Sequence, residues 1–196
     1  MITTQSFNDT ISFIKKNSKI PVIIFPGSNL HIDDNADALL FLSLISGRNP
    51  EFLIGQQVVV APKLKGTSLE ILPTGYILVD GGKPTTVSYI SNTAPIPADK
   101  PEIVAATAWA GELMGLQLIY LDSGSGALYP VSASVIHKVR QWVSKPMIVG
   151  GGIDTPEKAK ACWEAGADIV VVGNAIEKDF TLIKRFAELK RILNQK

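Results

Sequence analysis

Tyr120, Asp122, Ser123 and Ser125 fall in one short run, Leu118-Ile119-Tyr120-Leu121-Asp122-Ser123-Gly124-Ser125-Gly126, in which a strand-forming stretch ends in small residues. Two later runs end alike. Met147-Ile148-Val149 leads into Gly150-Gly151-Gly152-Ile153, and Ile169-Val170-Val171-Val172 leads into Gly173-Asn174. Glycines at the ends of parallel strands let bare backbone N–H groups approach an anion, and each following helix adds its positive N-terminal end. Side by side, the three turns predict a phosphate cup. A tight turn is an equal reading for any one of these glycines, but three in consecutive units favour the anion. Ser123 and Ser125 also suit helix N-caps, and Tyr120 also suits a core aromatic with a satisfied hydroxyl.

The elements that must position these turns alternate along the chain. Strands are expected at residues 21–25, 38–42, 70–79, 117–122, 146–149 and 168–172. Most are apolar throughout, as parallel strands covered on both faces are. A helix should begin at Asn49-Pro50, with Asn49 as N-cap, and run to about Lys65, with Pro62 kinking or ending it early. Another should begin at Thr155-Pro156-Glu157 and stop at Gly166, with Ala159, Cys162 and Trp163 on one stripe, which makes Cys162 a core residue. Phe7, Ile11 and Ile14 share a face of an N-terminal helix. Residues 80–99, with Gly81-Gly82, Pro84, Pro95 and Pro97, suit a local loop or hairpin insertion, and residues 178–196 a closing helix with a solvated face. Repeated βα units with glycine turns at strand ends point to an α/β, TIM-type (β/α) barrel in a single domain, residues 1–196. Eight such units take ~250 residues, so this length matches about six. A doubly wound sheet is the alternative, but its glycine turn usually follows its first strand.

Composition narrows the class. The chain has 46% hydrophobic residues and a formal charge of +1, without the basic excess that nucleic acid requires. One cysteine allows no internal disulfide, and no CxxC or His-rich spacing suggests zinc. No apolar run approaches the roughly 20 residues of a membrane span, and residues 1–8 lack the features of a signal peptide. The expected location is cytoplasmic, with at most peripheral membrane contact. His31 and His137 are expected at the surface. Asp33, Asp34 and Asp37 precede a strand, and Asp33 and Asp34 suit caps and solvated loop charges better than a metal cluster.

Several segments also occur in a telling order: Phe25-Pro26-Gly27-Ser28, Ala36-Asp37-Ala38, Arg48-Asn49-Pro50-Glu51, Pro73-Thr74-Gly75-Tyr76, then the three glycine-ended runs. Together they resemble the geranylgeranylglyceryl phosphate synthase family, which includes the bacterial heptaprenylglyceryl phosphate synthases, over nearly the whole chain. The resemblance implies a prenyltransferase that joins a polyprenyl diphosphate, geranylgeranyl diphosphate first among them, to the primary hydroxyl of sn-glycerol 1-phosphate. An ether forms and diphosphate leaves. It further implies acceptor binding by Tyr120, Leu121, Ser123, Gly124, Ser125, Gly126, Gly151, Gly152, Gly173 and Asn174, with Asp122 as the base. The family commonly has Glu where Asp122 stands, so this side chain is shorter. Mg²⁺ at the diphosphate and a homo-oligomer are implied as well. The family's metal-holding Asp-Pro-Asp and Gly-Gly-Ser segments have no counterpart, so the expected barrel lacks the first strand, first helix and second strand, and with them the usual Mg²⁺ ligands. An apolar trough for the prenyl chain is expected around residues 72–77 and 101–114, including Trp109. The same turns would also serve another phosphate-binding barrel, such as an isomerase, or a noncatalytic phosphate-binding or assembly protein.

Overall fold

The computed structural model describes residues 4–193, so the ends of both terminal segments considered above lie outside the described residues. In chain order the elements are α1 (Thr4–Asn17), β1 (Ile23–Ile24), β2 (Ala38–Leu44), a π-helical turn (Glu51–Gly55) continuing into α2 (Gln56–Leu64), β3 (Glu70–Leu78), α3 (Thr86–Ser91) and α4 (Pro101–Leu113). They continue with β4 (Leu118–Asp122), α5 (Ala133–Trp142), β5 (Met147–Gly150), α6 (Pro156–Glu164), β6 (Ile169–Val170), α7 (Asn174–Lys178) and α8 (Leu182–Leu193). Strand order in the sheet follows the chain, β1-β2-β3-β4-β5-β6. The pairs β1–β2, β4–β5 and β5–β6 are parallel. All six expected strands form, with β1 and β6 shorter than the sequence suggests.

The chain divides into two compact units, the first being Met1–Ser43 with Pro50–Thr74 and the second Leu44–Asn49 with Gly75–Lys196. In the first, Ile11, Ile24, Ala36, Leu39 and Leu69 form the core, with Phe7 packed against it. Ile14, expected on the same face as Phe7 and Ile11, is exposed, and beside it Lys15 Nζ lies 2.6 Å from Asp37 Oδ1. Asp37 Oδ2 also accepts the Val22 N–H, and these contacts hold the exposed carboxyl below its ordinary range. His31 is no loose surface residue. Its ring stacks on Phe7 at 4.8 Å, and its Nδ1 accepts the Gly27 N–H. Asp33 is buried rather than solvated, since one of its oxygens closes a turn by accepting from the N–H and side-chain amide of Asn35. Pro62 lies inside α2 without ending it. The carbonyl of Val58, which Pro62 deprives of a donor, belongs to a solvent-exposed residue, so water can satisfy it.

The second unit is built on strand alternation. Ile77 and Val79, Ile119 and Leu121, and Met147 and Val149 point to one side and pack with Val104, Ala105 and Ala108 of α4, Val135, Ile136 and Val139 of α5, and Ala159 and Cys162 of α6. Of the residues proposed for a prenyl trough, Ile77, Val104, Ala105 and Ala108 belong to this core, whereas Ile103, Trp109, Leu113 and Met114 are exposed. Burial pushes the Cys162 thiol up to about 11, consistent with an inert core residue. The Thr155 hydroxyl caps α6 by accepting the Lys158 N–H. Pro50, not Asn49, takes the N-cap position of the π-helical turn, and the Asn49 amide donates to the Ser91 carbonyl. Residues 80–99 are not a hairpin. They contain α3, started by a reciprocal Thr85–Ser88 capping box and ended by left-handed Asn92, and Ile96 bridges Val79 in the parallel sense. Among the described residues, no helix is long and apolar enough to cross a membrane.

Candidate active site

On β4 the residues between the core positions face the other way. Tyr120 and Asp122, two apart, share that face, while Leu121 is fully buried on the helix side. In the adjoining strand β3, Tyr76 sets its ring edge-on to that of Tyr120, with centroids 5.4 Å apart and planes at 85°. The Tyr76 hydroxyl donates to Asp122 Oδ2 at 2.5 Å, and the Gly124 N–H donates to Oδ1 at 2.8 Å. Burial raises the Asp122 carboxyl, and the bonds from Tyr76 and Gly124 pull it back in part. Burial, then the Asp122 charge, pushes both phenols well up, so Tyr76 and Tyr120 remain protonated donors.

The three glycine turns follow three neighbouring parallel strands and so share one edge of the sheet. Asp122 is in register with Gly150, and the Ser123 N–H donates to the Gly150 carbonyl at 3.1 Å. A Cβ at Gly150 would lie 2.6 Å from the Tyr120 hydroxyl oxygen, so glycine there lets Tyr120 lie across β5. Gly151 has φ +82°, and a Cβ on it would lie 2.6 Å from Asp122 Oδ1 and 2.7 Å from the Gly124 nitrogen. Its turn therefore leaves no room for a side chain beside the carboxylate. Ser125 Oγ donates to Asn174 Oδ1 at 2.9 Å, tying the first turn to the third. The backbone N–H groups of Gly126, Gly152 and Asn174 find no acceptor among the described residues. Such groups can bind an anion.

The structure thus gathers Tyr120, Asp122, Gly124, Ser125, Gly126, Gly151, Gly152, Gly173 and Asn174 at one edge. It turns the side chains of Leu121 and Ser123 away. Ser123 Oγ is buried without a partner among the described residues, and its Cβ lies 2.9 Å from where a Cβ on Gly81 would stand. Neither Ser123 nor Ser125 caps a helix: Ser132 caps α5 by accepting the Val135 N–H. Only the third glycine turn runs straight into a helix, so the helix ends expected at the first two turns are displaced. Sequence reasoning missed Tyr76 and Gly150 as site residues. Both stand in segments already notable by type, Pro73-Thr74-Gly75-Tyr76 and the glycine triplet.

Among the described residues, no three His, Cys, Asp or Glu side chains come together. Asp122 itself is taken up by Tyr76 and Gly124.

With this geometry in hand, known proteins give a consistent match. The PcrB family pattern covers residues 2–190. A geranylgeranylglyceryl phosphate synthase of Spirosoma linguale is 56% identical over 195 residues, spanning 100% of this chain and 78% of the relative. One from Thermococcus gammatolerans is 42% identical over 188 residues, covering 96% of this chain and 74% of its own length. Among solved structures, the (S)-3-O-geranylgeranylglyceryl phosphate synthase of Thermoplasma acidophilum, in complex with its substrate sn-glycerol-1-phosphate, superposes with a TM-score of 0.87. That match has 37% identity over 96% of this chain and 74% of the other. The α/β fold is thus of the TIM-barrel type. The pattern match and these identities have one consequence: the chain belongs to the PcrB family, alongside the geranylgeranylglyceryl phosphate synthases.

Proposed function

We propose that the chain is a prenyltransferase acting on sn-glycerol 1-phosphate, and that the edge of β4, β5 and β6 is its acceptor site. The observation that carries this reading is the meeting of three glycine turns beside one buried carboxylate. The acceptor phosphate takes the N–H groups of Gly126, Gly152 and Asn174, helped by Ser125 and Gly173, and Tyr120 borders the glycerol. Asp122 receives the proton of the primary hydroxyl as that oxygen bonds to C1 of a polyprenyl diphosphate. The C1–O bond breaks, and diphosphate leaves with the electron pair. The names of the relatives and the sn-glycerol-1-phosphate in the Thermoplasma acidophilum complex support this substrate.

Mg²⁺ is the expected partner of the diphosphate; no group of three or more His, Cys, Asp or Glu side chains stands ready for it among the described residues, and no step is routed through a metal. The hydrogen bonds already held by both Asp122 oxygens favour one second reading, a protein that binds the phosphate acceptor without transferring a prenyl group. Self-association fits the exposed Ile23 of β1 and Ile169 of β6, the strands at the two ends of the sheet order. The test is calorimetry with sn-glycerol 1-phosphate, its sn-3 enantiomer and inorganic phosphate, followed by incubation with labelled geranylgeranyl diphosphate and Mg²⁺. Selective binding of the sn-1 acceptor and an ether product are expected. Binding without product supports the second reading, and no binding of any of the three overturns both.

A further inference from the structure

Asp122 is shorter than the Glu common at this position in the resemblance, and it is nearly enclosed, being 8% exposed. Its orientation must therefore be set by what touches it. One contact, the Gly124 N–H on Oδ1, is backbone and comes with the turn. The other comes from a side chain 46 positions away, the Tyr76 hydroxyl on Oδ2. We infer that Tyr76 is a positioning residue for Asp122: by pinning one carboxylate oxygen while Gly124 pins the other, it presents the carboxylate to the glycine turns in a single orientation. This rests on Asp122 being the site's base.

The surroundings leave Tyr76 as the adjustable contact. From β3, Tyr76 faces Asp122; from β4 itself, Tyr120 stands on the same face; from β5, the Gly151 turn brings backbone only. Among the described residues, no lysine or arginine forms an ion pair with Asp122. In so dry a place a hydrogen bond to a charged oxygen is strong, and losing it favours the protonated acid. The direction agrees with the effect of Tyr76 on the carboxyl, which is to lower it against burial. Tyr76→Phe keeps the edge-on ring and removes only the hydroxyl.

The experiment is carbon NMR of protein labelled with ¹³C at the aspartate carboxyls, titrated with pH. Asp122 is assigned by the signal missing from Asp122→Asn. In Tyr76→Phe the Asp122 midpoint should rise by about one pH unit. An unchanged midpoint overturns the inference. If Tyr76→Phe fails to fold, the wild type decides: a slowly exchanging, downfield phenolic proton that disappears in Asp122→Asn is expected, and its absence from the wild type is equally fatal. Neither measurement uses substrate, so their failure is separate from failure of the acceptor reading, which calorimetry tests.

Discussion

At Asp122 the fold works against a charge that the proposed chemistry needs. Burial makes the folded protein hold this proton more tightly than the unfolded chain does. The linked stability is therefore fully present below the ordinary value of 3.8 and is lost as pH rises through the higher folded value. Asp122→Asn, neutral throughout, should escape that loss. Thermal melts should show it more stable than wild type at pH 7, by about 2–4 °C for each kcal/mol regained, with the gap closing toward low pH. Product formation should be lost in the same variant. Gly151→Ala should behave oppositely, because the left-handed backbone costs about 1–2 kcal/mol for a residue with a Cβ. That Cβ would also push on Asp122 Oδ1. Calorimetry should show affinity for sn-glycerol 1-phosphate weakened about tenfold or more, for a further loss of at least ~1.4 kcal/mol.

Among the elements, α6 bears most directly on the site, since it follows the second glycine turn and begins at a Thr155 cap. Thr155→Ala should cost about 1 kcal/mol in urea denaturation, and Thr155→Ser should restore most of it. The start of this helix was legible in the sequence because Thr-Pro-Glu states its own local chemistry. The glycine turns were legible for the same reason. Tyr76 was not, because its partner is set by the neighbouring strand and no local pattern announces a phenol facing a carboxylate. Helix α3 was hidden by the glycines and prolines around it, although Thr85 and Ser88 supplied a reciprocal cap between them. His31 looked like a surface residue because its role depends on Phe7, in a different element. At residue 121 the family resemblance and strand alternation pulled apart: its backbone lies in the site strand while its side chain fills the core.

For the molecule as a whole, the sheet order leaves β1 and β6 each with a single strand neighbour among the described residues. Ile169 on β6 is 44% exposed, and charge on an edge strand opposes pairing with a second copy. On the proposal that copies pair through this edge, Ile169→Lys should lower self-association in sedimentation velocity while leaving sn-glycerol 1-phosphate binding intact; unchanged sedimentation would show that β6 is not the contact. Tyr76 and Tyr120, both nearly enclosed and both pushed far up, carry another consequence. They are half of the four tyrosines, so the intact protein titrated with alkali should develop less phenolate absorbance than its denatured form. The withheld absorbance makes the site a built-in optical gauge: its abrupt appearance at high pH marks the moment the β3–β4 contact comes apart.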